Sequence, residues 1–189
     1  MEADAEPGTT IGRLHRQEEK IIEESGIPYT FLRPGAFMQN FVNFFGQTIK
    51  DQNAIYIPAE DGKISFVDVR DIAAVATKIL PTKSNGSQQH KNKSYDITGH
   101  DALSYNQAAE IPSKEIGKKI SYIDIPEEDF RKGMKKMGME DWLIDAIIEF
   151  YYIIREGHAS LATNVVEQIT GRKSISFEQF VRGYASSFS

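Results

Sequence analysis

The stretch that most constrains this chain is Ser25-Gly26-Ile27-Pro28-Tyr29-Thr30-Phe31-Leu32-Arg33-Pro34-Gly35. Before it, residues from about 10 to 25 carry Ile11, Leu14, Glu18, Ile21 and Ile22 near one face of a helix, with Thr9 or Thr10 as an N-cap. Gly26 supplies the left-handed residue that closes a helix, and Pro28 forbids its continuation. Tyr29 to Leu32 is then short, apolar and rich in β-formers, the composition of a strand buried in a parallel sheet. Helix, glycine stop and buried strand make half of a βαβ unit, so the expected fold class is α/β.

Downstream, Arg33-Pro34-Gly35 is expected to break the strand, and Phe37 to Phe45 reads as an aromatic-rich amphipathic segment. Residues 51–62 read as loop with a short strand at 55–57, and Ser65-Phe66-Val67 as a strand entering a helix over 69–80. Asp68 and Asp71 stand at the start of that helix, where two carboxylates suit orphan N–H groups better than acid–base or metal chemistry. The polar run 81–93 is expected at the surface, and Tyr95-Asp96-Ile97 as a strand. Ser104 and Gln107 form a capping box for a helix that Pro112 should kink or interrupt. A strand over 120–125 and helices over 127–138, 141–156 and after Ser176 complete the reading.

Several function classes drop out. There are no cysteines, which removes disulfides, thiolate metal sites and thiol nucleophiles and fits a reducing cytoplasm. His90, His100 and His158 stand in no ligand spacing, so no metal is expected. The formal charge is -5 and the basic clusters, such as Lys118-Lys119, are short, which argues against nucleic acid. No apolar run approaches the roughly 20 residues of a membrane helix, and the acidic start is no signal peptide.

Three ordered blocks resemble the NmrA-like branch of the atypical short-chain dehydrogenases/reductases. They are 14–22 with 25–35 and Met38-Gln39-Asn40-Phe41; then Phe66-Val67-Asp68-Val69-Arg70-Asp71-Ile72-Ala73; then Tyr95-Asp96-Ile97-Thr98-Gly99, with Thr170-Gly171-Arg172 and Ser176 to Phe180 in the tail. The resemblance implies the C-terminal part of a doubly wound Rossmann-type fold with a small, mostly helical substrate lobe. Residues 1–100 would be the remnant of the NAD(P)-binding domain and 101–189 the lobe. The N-terminal glycine-rich half would be absent: no Gly-x-Gly-x-x-Gly or Gly-x-x-Gly-x-x-Gly occurs among the fourteen glycines, and the pyrophosphate cradle needs one.

The resemblance also implies site residues. His15 falls in the place of the family's lysine and Ile11 in the place of its tyrosine, which leaves the usual proton donor without a counterpart. His15 could donate a hydrogen bond to a ribose hydroxyl or to the carboxamide of the nicotinamide, or be a plain surface histidine. Pro34, Gly35, Ala36 and Phe37 would pass the nicotinamide of NADP or NAD, or be only a strand-ending turn. Asn40 and Phe41 would line the substrate pocket, unless the aromatics are core. The implied function is the substrate-side portion of an NAD(P)-dependent reductase acting on a small conjugated electrophile such as a quinone. The alternatives are a non-catalytic NAD(P)-sensing regulator, or a truncated fragment without cofactor binding. Self-association through an exposed sheet edge is a further expectation, because the in-sheet neighbours of Tyr29–Leu32 would lie in the absent half.

Overall fold

The computed structural model describes residues 8–80 and 87–188. The opening helix α1 spans Thr10–Glu24, with the Thr9 hydroxyl accepting from the Gly12 N–H at 2.9 Å. Gly26 takes a φ of +72°, and the chain turns back into β1, Thr30–Pro34. The strand runs two residues further than expected, because Pro34 sits at its end, where no N–H is needed.

The aromatic segment gives two short helices, α2 (Asn40–Asn43) and α3 (Gly46–Gln52), so the expected loop at 51 starts a residue or two later. Strand β2, Ala54–Ile57, follows, then β3, Lys63–Ile64. Residues 65–67, expected as a strand, instead form scattered single contacts: Ser65 N–H donates to Ala159 O, and Val67 makes an isolated parallel bridge to Phe37. Helix α4 spans Val69–Ile79. The surface loop expected over 81–93 lies partly outside the described residues; its end is a 3-10 turn at Ser87–His90 and the start of β4, Lys93–Ile97.

After β5 (Leu103–Ser104), helix α5 spans Tyr105–Ile116 behind the expected capping box. It is not interrupted at Pro112. That residue is buried, and the helix packs on the last strand and last helix of the chain, so tertiary contacts outweigh the missing hydrogen bond. Then come β6 (Ser121–Asp124), α6 (Glu127–Lys136), α7 (Asp141–Arg155), α8 (Val165–Thr170) and α9 (Phe177–Gly183). Helix α8 has no counterpart among the expected elements.

Two parallel strand pairs organise the chain: β1 with β4 (Thr30 opposite Lys93, Pro34 opposite Ile97) and β2 with β6. The strands β3 and β5 pair antiparallel. One core lies between β1, β4, α4 and α8 and contains Val67, Val75, Ile79, Ile97 and Val166. A larger one is aromatic, built on Phe41, Phe66, Tyr105, Tyr151, Phe177 and Phe180. Contacts cross residue 100 in both directions: 54–57 pairs with 121–124, and α8 packs on α4.

Candidate functional site

The carboxyl end of a parallel sheet is where α/β folds open a ligand crevice, and here β1 delivers Pro34-Gly35-Ala36-Phe37 to that end. Gly35 N–H donates to Ile97 O at 2.9 Å, which carries the pairing with β4 one residue past the strand. Val67 N–H donates to Ala36 O at 2.8 Å, and Met38 N–H donates to Val67 O at 2.9 Å. In a parallel bridge the residue between those two bonds points its own N–H the other way. The Phe37 N–H is therefore aimed away from Val67, while its carbonyl accepts from Asn40 N–H. The Phe37 ring is partly exposed.

Helix α1 returns alongside β1, locked to it by an ion pair. Glu19 accepts from Arg33 twice, at 2.8 Å from Nε and 2.6 Å from Nη2, with both side chains nearly buried. His15 stands four residues before Glu19, about 6 Å along the helix, and Gly35 two residues beyond Arg33, a comparable rise along the strand. By those rises His15 lies from Glu19 in the direction that Gly35 lies from Arg33. Its ring is two-thirds exposed, with Nδ1 3.4 Å from Glu18. Ile11, one turn earlier, is partly exposed and aliphatic.

The structure separates Asn40 from Phe41. Asn40 is half-buried at the start of α2. Phe41 has no exposed surface and packs against Phe45, Phe66, Tyr105 and Phe177.

Asp68 and Asp71, read together as helix-start caps, divide their work. Asp68 caps α4: Oδ1 accepts from Arg70 N–H at 2.8 Å and from its Nε at 2.9 Å. Burial opposes ionisation of this carboxyl, but the hydrogen bonds and charge of Arg70 outweigh it and hold the pKa below the usual range. Asp71 is fully buried and turned the other way. Its Oδ2 accepts from Ile175 N–H at 2.7 Å, and Oδ1 lies 2.6 Å from Arg172 Nη1 as an ion-pair contact. Nothing local announces this, since the partner lies more than a hundred residues on.

The histidines have other partners. His90 Nδ1 meets the Tyr95 hydroxyl at 2.8 Å, and His100 lies 2.8 Å from Ser174 Oγ and 3.0 Å from Asp101. Among the described residues no group of three His, Asp or Glu could hold a metal, and no helix is long and apolar enough to cross a membrane. An open cavity of about 570 Å³, unforeseen from sequence, lies at the carboxyl ends of β2 and β6. Its walls include Glu60, Asp124, Glu127, Tyr152 and Arg155.

A parallel pair flanked by helices, with a glycine turn at its carboxyl end, is a Rossmann-like α/β arrangement. The chain belongs to the NmrA-like family, which matches residues 14–175. It is 35% identical over 178 residues to an NAD(P)H azoreductase of Xenophilus azovorans, covering 94% of this chain and 60% of that protein. It is 29% identical over 150 residues to quinone oxidoreductase 2 of Escherichia coli, covering 79% of this chain and 50% of that one. The chain thus spans a little over half the length of these relatives. In fold it is similar to the NADPH complex of the Escherichia coli quinone oxidoreductase QOR2, with a TM-score of 0.80 at 24% identity, covering 93% of this chain and 60% of that one. It is also similar to the negative transcriptional regulator NmrA bound to NADP, with a TM-score of 0.61 at 14% identity, covering 88% and 54%.

Proposed function

We propose that this chain is the substrate-side portion of an NAD(P)H-dependent reductase acting on a small conjugated electrophile such as a quinone. The observation that carries the reading is the Gly35–Phe37 turn. It lies at the carboxyl end of β1, with one backbone N–H aimed away from its bridge partner, and His15 stands on the helix that Glu19 ties to that strand. These groups fit the nicotinamide end of NADPH or NADH: the Phe37 N–H would donate to the carboxamide oxygen, and His15 to a ribose hydroxyl. They do not fit the pyrophosphate end, for which these residues contain no glycine cradle. The azoreductase and quinone reductase names of the relatives support an electron-poor acceptor.

The bound cofactor supplies hydride. The chain's part is positioning: Gly35 lets the backbone approach, Pro34 fixes the turn, and Asn40 would face the substrate while buried Phe41 backs the wall. Residues 1–100 form the cofactor side and 101–189 the substrate lobe, with 54–64 lent to the lobe and 165–170 lent to the cofactor side. The reading places the protein in the cytoplasm with a small-molecule substrate, and includes neither nucleic acid nor membrane. One observation favours a non-catalytic NAD(P)-sensing regulator instead. Ile11, in the place of the family's tyrosine, carries no transferable proton.

Titration of the chain with NADPH and with nicotinamide mononucleotide, followed by amide and imidazole NMR shifts, tests the reading. Shifts confined to residues 35–37 and the His15 ring are expected, with a dissociation constant of roughly 1 mM or weaker. No shift there, or low-micromolar binding centred elsewhere, overturns it. Loss of NADPH absorbance on adding a quinone would favour the reductase over the sensor.

A further inference from the structure

Helix α1 is held at two points. Near its middle Glu19 grips Arg33 of β1, and Arg16 joins Glu19 to Glu23 on the same side of the helix. At its start the Thr10 N–H donates to Glu149 Oε2 at 2.7 Å, across 139 positions of sequence. Glu149 belongs to α7, whose Tyr151 and Ile154 lie in the aromatic core. At 3.6 residues per turn Glu149 stands about 160° round α7 from Tyr151, so its carboxylate leaves the core side and reaches α1. The first turn of α1 contains no acidic residue. Thr9 satisfies the Gly12 N–H, while the carboxylate from α7 takes the Thr10 N–H and complements the positive end of the helix dipole.

One anchor leaves a helix free to pivot, and two fix its line. His15 lies between them, five residues or about 7.5 Å beyond Thr10 and four residues or about 6 Å before Glu19. We propose that Glu149 is a positioning residue for the candidate cofactor site: by holding Thr10 it sets α1, and with it His15, against the substrate lobe. The inference rests on the reading of His15 and the Gly35–Phe37 turn as the place of the nicotinamide end. Glu149 acts through the helix backbone. Glu18, 3.4 Å from His15 Nδ1, rides on α1 itself and so orients the ring but not the helix. Because α7 is the lobe helix against which α1 packs, a displacement of α7 pulls on the start of α1. Binding linkage is reciprocal: if the Glu149 bond strengthens nicotinamide binding, bound nicotinamide strengthens the Glu149 bond by the same factor.

The test titrates the full 189-residue chain and its Glu149→Ala and Glu149→Gln variants with nicotinamide mononucleotide, following the His15 ring and the Thr10 amide by NMR. Glutamine keeps a side-chain carbonyl for the Thr10 N–H, and alanine does not. Glu149→Ala should raise the dissociation constant about fivefold, the factor that one net hydrogen bond supplies, and Glu149→Gln less than about twofold. A urea midpoint for each variant separates lost positioning from lost folding. Saturating nucleotide should also slow hydrogen exchange at Thr10 in the unsubstituted chain, a readout that needs no variant and that a merely structural bond would not move. Equal nucleotide affinity in the chain and in Glu149→Ala, a glutamine variant as weak as the alanine one, or Thr10 exchange indifferent to bound nucleotide would overturn the positioning role and leave the cofactor reading standing. No shift at His15 in the unsubstituted chain would overturn the cofactor reading and the positioning role with it.

Discussion

Glu19 and Arg33 form a bidentate pair between α1 and β1, and this pair sets the height of the helix on the strand. Both side chains are only 10–13% exposed, so the pair lies nearly out of water. Through this contact a helix that buries no large apolar side chain is held to the strand.

Removing one partner should therefore be expensive. Glu19→Ala is expected to cost about 3 kcal/mol, because it removes both hydrogen bonds of a bidentate pair at a nearly buried guanidinium. Pairing it with Arg33→Met should restore most of that loss. Urea unfolding of the two single variants and the double variant measures this, and additive losses would show that the two residues act separately.

The glycines divide sharply. A Cβ on Gly99 would overlap the Phe66 carbonyl oxygen, and one on Gly62 the Ile154 carbonyl oxygen, whereas one on Gly133 in α6 meets nothing. Neither carbonyl can move without shifting its own chain. Gly99→Ala and Gly62→Ala should each cost about 3 kcal/mol as overpacking, while Gly133→Ala should gain about 0.5–1 kcal/mol from helix propensity. Thermal or urea melts of the three variants provide the check.

Asp71 ties α4 to the loop before α9. Asp71→Ala leaves Ile175 N–H without its acceptor and Arg172 without its partner, and should cost about 2–3 kcal/mol. Asp71→Asn keeps an acceptor for Ile175 and loses only the contact to half-exposed Arg172, worth about 1 kcal/mol or less. Faster hydrogen exchange at Ile175 in the alanine variant, and not in the asparagine variant, is the discriminating readout.

Three tyrosines bear on alkaline stability. Burial raises the pKa of Tyr105, Tyr122 and Tyr151 above the ordinary phenol value, with a hydrogen bond to Asp124 adding to it at Tyr122. A raised folded pKa gives stability that is full below the unfolded value and falls as pH climbs past it, because the unfolded chain ionises first. These three should stay silent in tyrosinate absorbance up to about pH 11, and stability against unfolding should weaken progressively above about pH 10. Tyr151→Phe should flatten that alkaline slope. Ionisation of all eight tyrosines in the folded chain would contradict this.

What the sequence determined by itself was local. Gly26 and Pro28 ended α1, Thr9, Asp68, Ser104 and Ser176 capped their helices, and the order of blocks placed the chain in the NmrA-like family. Each depends on backbone sterics or on hydrogen bonds within three residues, which a linear pattern carries. Tertiary structure decided the rest. Helix α5 runs through Pro112 because the packing of a buried face outweighs one lost hydrogen bond. Asp71 serves Ile175 rather than its own helix, and Phe41 lies wholly in the aromatic core while Asn40 beside it stays half-exposed. The apolar periodicity of α1 was plain in the sequence, but not that its charged side would turn inward. That orientation depends on Arg33 meeting Glu19 across a turn, a contact that exists only once strand and helix are side by side.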